Sequence, residues 1–237
     1  MNHEYQGMFG PVIVREFPGM RALYLGTMLQ GGMILGAPYT CTSRVLRAFH
    51  LIRSLRPTLP GSVLIIGLGA GELPRSFWGT YPDVRITVAE IDSVIADVAI
   101  RHFDLPQDER LAVVVGDGEA ILQDAPDRYD LIILDANAGD AGLPPQFRER
   151  AFLDLARARL NPGGMLAANV IGALTGPGSD GVRQFLTHAE ANFPERYRLT
   201  FGAPPEATQN IVVFFGDQEP LPVERIPTAD GIELILG

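Results

Sequence analysis

Lysine is absent from the 237-residue chain, and all 19 basic residues are arginine. No ε-amino group is therefore available for a Schiff base, or for the phosphate-holding lysine of a Walker-type loop. Cysteine is almost absent as well: Cys41 stands alone, which excludes an intrachain disulfide and fits a reducing compartment. The chain has no apolar run of about 18 residues, the length a membrane span needs. Its first ten residues, MNHEYQGMFG, lack the basic-then-apolar layout of a signal peptide. The expectation is a cytoplasmic protein with no membrane contact. Basic charge is also in deficit, 19 residues against 28 acidic ones for a net charge of −9. That leaves no broad phosphate-binding face, so nucleic acid is not an expected partner. His3, His50, His102 and His188 show no metal-ligand spacing, so no metal is expected, and no serine sits in a G-x-S-x-G elbow.

What is present is a well-cored globular composition, 46% hydrophobic and 20% charged with a mean hydropathy of +0.13. Residues 1–40 carry short runs bounded by turns: Val12 to Phe17, Arg21 to Leu25, and Thr27 to Leu35, with Pro18-Gly19 and Gly31-Gly32 as punctuation. These read as a small antiparallel hairpin or meander. Residues 41–237 form the second unit. It opens with a helical stripe over Ser43 to Leu55 and continues as alternating strand and helix. Strands are expected at 62–66, 85–89, 111–115, 130–134 and 165–171, with helices at 72–81, 91–103, 119–123 and 146–160. Such alternation demands a mostly parallel, doubly wound sheet. Tyr197 to Phe201 and Asn210 to Phe215 read as a closing antiparallel pair, and 217–237 as a tail without a clear pattern.

The chemistry gathers at the carboxyl ends of four expected strands, where ligands of open α/β sheets bind. Val63-Leu64-Ile65-Ile66 runs into Gly67-Leu68-Gly69-Ala70-Gly71-Glu72, a strand–glycine turn–helix unit. The dinucleotide fingerprint wants glycine at position 72, and a carboxylate there repels a pyrophosphate, so the turn suits a ligand without phosphates. Glu90 ends the next strand, placed to accept both hydroxyls of a ribose. Gly116-Asp117-Gly118 ends the third. Asp117 can receive an adenine amino group while capping the following helix. Asp92, beside Glu90, reads as a solvated strand-end carboxylate. Asp135 ends the fourth strand. Ribose, adenine and a phosphate-free turn point to an adenosyl ligand such as S-adenosylmethionine.

On these residues the segment 21–171 resembles the spermidine synthase (polyamine aminopropyltransferase) family, on the class I methyltransferase fold. Val88-Ala89-Glu90-Ile91-Asp92, Val115-Gly116-Asp117-Gly118 and Asp130-Leu131-Ile132-Ile133-Leu134-Asp135 resemble its nucleoside-binding stretches and catalytic strand. Tyr24-Leu25-Gly26-Thr27-Met28-Leu29-Gln30 is similar to its Y-L-D-G-x-x-Q stretch, and Tyr39 falls where a pocket tyrosine is expected. The resemblance implies a Rossmann-like, seven-stranded catalytic domain with an N-terminal β-hairpin piece, assembled as a homodimer. It implies S-adenosylmethionine or its decarboxylated form, with Gln30, Gly67, Gly69, Ala70, Gly71, Glu90, Asp117, Gly118 and Asp135 around it. Asp135, Tyr39 and Asp140 are the catalytic candidates.

The chain departs from that pattern at its acidic positions. Gly26 replaces the aspartate of Y-L-D-G, Ala70 that of G-G-G-D-G, and Ala138 the second aspartate of D-x-x-D. Losing two charge-assisted hydrogen bonds to a cationic donor and acceptor costs roughly 3–6 kcal/mol, or two to four decades of rate. The expected function is therefore transfer of a methyl group to a small molecule. Aminopropyl transfer with the decarboxylated donor, and nucleoside binding without catalysis, are the alternatives. A nicotinamide-dependent oxidoreductase is disfavoured by Glu72 and the closing strand pair.

Overall fold

The computed structural model describes residues 2–137 and 142–219 and the backbone of 233–236. Four antiparallel strands come first: β1 (Asn2–Gly7), β2 (Gly10–Phe17), β3 (Met20–Leu25) and β4 (Met28–Ile34). A helical stretch follows, α1 (Arg44–Ala48), a 3-10 turn (Phe49–Leu51) and α2 (Ile52–Leu55). The alternating part is β5 (Ser62–Ile66), α3 (Glu72–Thr80), β6 (Arg85–Glu90), α4 (Ser93–His102), β7 (Leu111–Val115), α5 (Gly118–Asp124) and β8 (Tyr129–Leu134). Next come α6 (Pro145–Arg148), α7 (Arg150–Ala158), β9 (Leu160–Gly172), α8 (Asp180–Asn192), β10 (Glu195–Thr200), β11 (Gln209–Gly216) and β12 (Glu233–Leu236).

The second sheet has eight strands in the order β12-β10-β11-β9-β8-β5-β6-β7. β5 to β9 run parallel, and β10 to β12 close the sheet antiparallel. This is a Rossmann-like class I methyltransferase sheet with a small N-terminal antiparallel sheet, and β12 adds an edge strand to the seven expected. Alternation along β5 sends Val63 and Ile65 into one apolar layer and Leu64 and Ile66 into the other. Val12, Val14, Leu23 and Met33 of the N-terminal sheet share the first layer with Phe77 of α3 and with Val98 and Phe103 by α4. The N-terminal strands therefore pack into the main core.

Most expected elements recur within two residues. The helix expected over 146–160 is broken at Glu149, whose extended backbone separates α6 from α7. Three elements lay outside the expectations. β1 pairs along β2, from Asn2 opposite Arg15 to Gly7 opposite Gly10. α8 buries Val182, Phe185 and Ala189 at helical spacing, a stripe readable in the sequence. β12 comes from the tail and pairs with β10.

Two polar contacts anchor the helical stretch, one to the sheet and one to α3. Arg56 makes a two-pronged pair with Glu195 at 2.8 and 2.6 Å, linking the end of α2 to β10. His50 sits between Ser76 Oγ at 2.9 Å and Tyr81 OH at 3.0 Å, its ring tilted against Phe77 at 4.5 Å. Burial, aided by the charge of Arg53, lowers the His50 pKa to about 4. A depressed histidine binds its proton more readily in the unfolded chain, so its contribution is complete above about pH 6.5 and is lost as pH falls towards 4. Replacing His50 with Gln is expected to flatten this acid limb, worth up to about 3 kcal/mol. Urea unfolding of both proteins at pH 7.5 and 5 checks it: an equal loss in both assigns acid sensitivity elsewhere.

Candidate active site

The glycine turn is shaped by close backbone approaches. Gly67 and Gly69 have φ of +101° and +53°. A Cβ on Gly67 would lie 2.3 Å from the Asp135 carbonyl oxygen, and one on Gly69 would lie 2.7 Å from that of Gln30. Both positions thus combine positive φ with the absence of room for a side chain. Gly71, also at positive φ, is the N-cap of α3.

Around this turn the four strand ends converge as expected. Glu90 Oε2 accepts a hydrogen bond from Leu68 N, and Oε1 one from Asp92 N, each at 2.9 Å. The carboxylate therefore braces the turn from β6. Burial raises its pKa, opposed by these backbone N–H groups. Asp117 caps α5, its Oδ1 accepting from Glu119 N at 2.9 Å and Ala120 N at 3.0 Å. Gly118 packs on Ile66, where a Cβ would lie 2.4 Å from Cγ2. Gln30 reaches the site through the backbone contact of its carbonyl with Gly69. Ile91, next to Glu90, leaves an apolar side chain 40% exposed at the same edge, a residue with no expected role.

Asp135 lies at the centre of a polar cluster. Its N–H donates to Ile66 O, and its Oδ1 accepts from Asn169 Nδ2, both at 2.9 Å. Asn137 Nδ2 stands 3.5 Å from the same oxygen and donates to the Asn169 carbonyl at 2.9 Å. Burial pushes the Asp135 carboxyl up to about 6, with the nearby Glu72 charge adding to the rise and both amides opposing it. Neither Asn137 nor Asn169 was expected here. Asn169 carried a signal, an uncharged polar residue inside the apolar run Met165-Leu166-Ala167-Ala168-Asn169-Val170-Ile171.

Four further side chains are placed as follows. Ala70 is 1% exposed, and its methyl lies 3.3 Å from where a Gly31 Cβ would stand, so the side chain points beneath β4. Tyr39 packs its ring, tilted, against Trp78 at 5.2 Å, near the other end of α3 from Gly71. Asp92 is buried, because it caps α4 through Val94 N at 2.9 Å and receives Met8 N at 2.6 Å. Glu72, read as a neighbour of the ligand, instead accepts hydrogen bonds from Gly32 N, Thr42 N and Oγ1, Ser43 N and Cys41 Sγ. Asp140 lies outside the described residues. A cleft of about 210 Å³ lined by Arg128, Arg157, Asn161 and Phe193 opens at the opposite, amino edge of the sheet. Among the described residues no group of three or more His, Cys, Asp or Glu side chains could hold a metal, and no helix is long and apolar enough to cross a membrane.

The class I methyltransferase-like sheet carries an acid at the end of each of its second and fourth parallel strands, on the edge where ligands of open α/β sheets bind. The spermine/spermidine synthase domain matches residues 50–216, and the chain belongs to that family. It is 39% identical over 118 residues to a probable polyamine aminopropyl transferase of Bifidobacterium longum, across 50% of this chain and 26% of that protein's own length. A probable spermidine synthase from Corynebacterium glutamicum superposes with a TM-score of 0.82 at 22% identity, covering 92% of this chain and 81% of that one. Human methyltransferase-like protein 13, solved in complex with SAH, superposes with a TM-score of 0.64 at 25% identity, covering 78% and 87%.

The Glu72 contacts give a direct test. Glu72→Ala would leave the N–H groups of Gly32, Thr42 and Ser43 without their acceptor. The expected loss is at least about 3 kcal/mol, seen as a lower urea midpoint at unchanged slope. An unchanged midpoint would show that apolar packing alone holds the N-terminal sheet.

Proposed function

We propose that the protein is an S-adenosylmethionine-dependent transferase that moves a methyl group to a small-molecule acceptor. The observation that carries this reading is the reacting edge itself. Among the described residues, Asp135 is the one carboxylate bound to the neutral amides Asn137 and Asn169. A site for a polyamine and a decarboxylated donor, both cationic, calls for several carboxylates. Ala70 is buried beneath β4, so its side chain adds nothing to this charge balance. The solved relative that carries SAH supports an intact, carboxylate-bearing donor.

In this reading the backbone of Gly67, Gly69 and Gly71 underlies the methionine part. Glu90 holds the ribose with the lone pairs its two backbone bonds leave over. Asp117 takes the adenine amino group on Oδ2, both capping bonds being on Oδ1, and Ile91 covers the adenine face. Asp135 orients the acceptor beside the sulfonium. Methyl transfer is an in-line displacement on a cationic donor, so positioning supplies much of the acceleration. Aminopropyl transfer is the second reading, favoured by the name of the Bifidobacterium longum relative.

Titration calorimetry with S-adenosylmethionine and with its decarboxylated analogue separates the two. Tighter binding of the intact donor is expected, and preference for the analogue would overturn the methyl reading. The rate of transfer is expected to fall as pH drops below about 6, where Asp135 gains its proton. Asp135→Asn should remove that limb and lower kcat/KM by about 10²–10⁴-fold. Full turnover by this variant would exclude Asp135 from the chemistry.

A further inference from the structure

The cleft at the amino edge of the sheet lies apart from the reacting edge. The six residues of β8 separate the two edges by about 20 Å. Its volume of about 210 Å³ is several times the roughly 30 Å³ that one water takes up. Arg128 precedes β8, Arg157 lies in the last turn of α7, and Asp217 follows β11, which runs antiparallel to β9. All three line this one cleft, with Leu160 and Phe193 as apolar wall. Each arginine is steadied by one hydrogen bond to a backbone carbonyl, Arg128 to Leu160 at 3.1 Å and Arg157 to Asn192. A guanidinium has five N–H groups, so most of them stay open. Arginines elsewhere take an acid, as Arg56 takes Glu195 and Arg183 takes Asp180. Among the described residues Arg128, Arg157 and Asp217 form no ion pair, with one another or with any other group.

Two cations and one anion thus stand around a common cavity without pairing across it. A simple anion entering there meets the Asp217 charge, and a simple cation meets both guanidinium groups. A molecule that carries both charges satisfies all three side chains. We propose that this cleft is a second binding site, for a small zwitterion of the α-amino acid type. Its carboxylate is held by Arg128 and Arg157, whose planar forks match a carboxylate. Its ammonium is held by Asp217, and an apolar side chain lies against Leu160 and Phe193. The site stands at the opposite edge from the glycine turn and from Asp135, so it does not depend on which donor or acceptor binds there.

The test is ligand-observed NMR titration of the full chain with L-phenylalanine, hydrocinnamate and phenethylamine, which share a ring and differ in their charges. L-Phenylalanine is expected to bind at least about tenfold tighter than either singly charged probe. Asp217→Asn should weaken L-phenylalanine by about tenfold and tighten hydrocinnamate, because it removes the ammonium's partner and the anion's repulsion together. Asp217 is exposed, so this variant leaves the fold in place. Arg157→Gln should weaken both carboxylate probes. Hydrocinnamate binding as tightly as L-phenylalanine, or an L-phenylalanine affinity unmoved by Asp217→Asn, would overturn the assignment. So would the absence of binding by both L-phenylalanine and L-leucine at about 10 mM. Competition between L-phenylalanine and S-adenosylhomocysteine would move the amino acid to the reacting edge and overturn it equally.

Discussion

The buried Glu72 and Arg75 side chains, one turn apart at the start of α3, hold the functional edge of this protein together. The Glu72 carboxylate gathers N–H groups from β4 and from the segment before α1. The fully buried Arg75 guanidinium donates to the carbonyls of Pro38 at 2.9 Å, Ala70 at 2.5 Å and Gly32 at 2.8 Å. Burial brings the Arg75 pKa down to about 10 while the Glu72 charge works the other way. Each charge makes the other tolerable in a low-dielectric interior, and the backbone groups they bind would otherwise be orphaned. Gly32 is held on both its N–H and its carbonyl. The N-terminal sheet is thereby locked against the glycine turn at Gly31 and Gln30.

That lock explains why the turn needs glycine. Gly67 lets the Asp135 strand end approach from one side, and Gly69 lets Gln30 approach from the other. The turn is compressed between β8 and the N-terminal sheet, and Glu90 braces it from β6. The glycine-turn half of the site is therefore closely packed on three sides. The half at Asp135 differs: among the described residues it carries one carboxylate, whose pKa burial raises, and two neutral amides that contact it. Within a family that includes proteins named as polyamine aminopropyltransferases, this chain keeps the frame and dilutes the charge.

The alternating part of the fold was legible because its signals are local. Apolar runs of five or six residues between glycines and helical stripes specify parallel strands wherever they meet. Glu90, Asp117 and Asp135 were legible for the same reason, since strand ends of such a sheet face one edge. β1 was not, because its alternating pattern is weak and half polar, and β12 emerges from a tail without punctuation. α8 was readable from Val182, Phe185 and Ala189 and went unread. Tyr39 was placed by resemblance, and its neighbour Trp78 is a contact that only the folded chain shows.

The sequence by itself determined the sheet, the glycine turn and the acids lined along its carboxyl edge, for these depend on periodicity and on neighbours in the chain. Only the tertiary structure decided the direction and company of individual side chains. Ala70 turns under β4, Glu72 binds a glycine 40 residues earlier, and Asn169 meets an aspartate 34 residues before it. The physical reason is that a polar group's role is set by which partners reach it after desolvation, and those partners are distant in sequence.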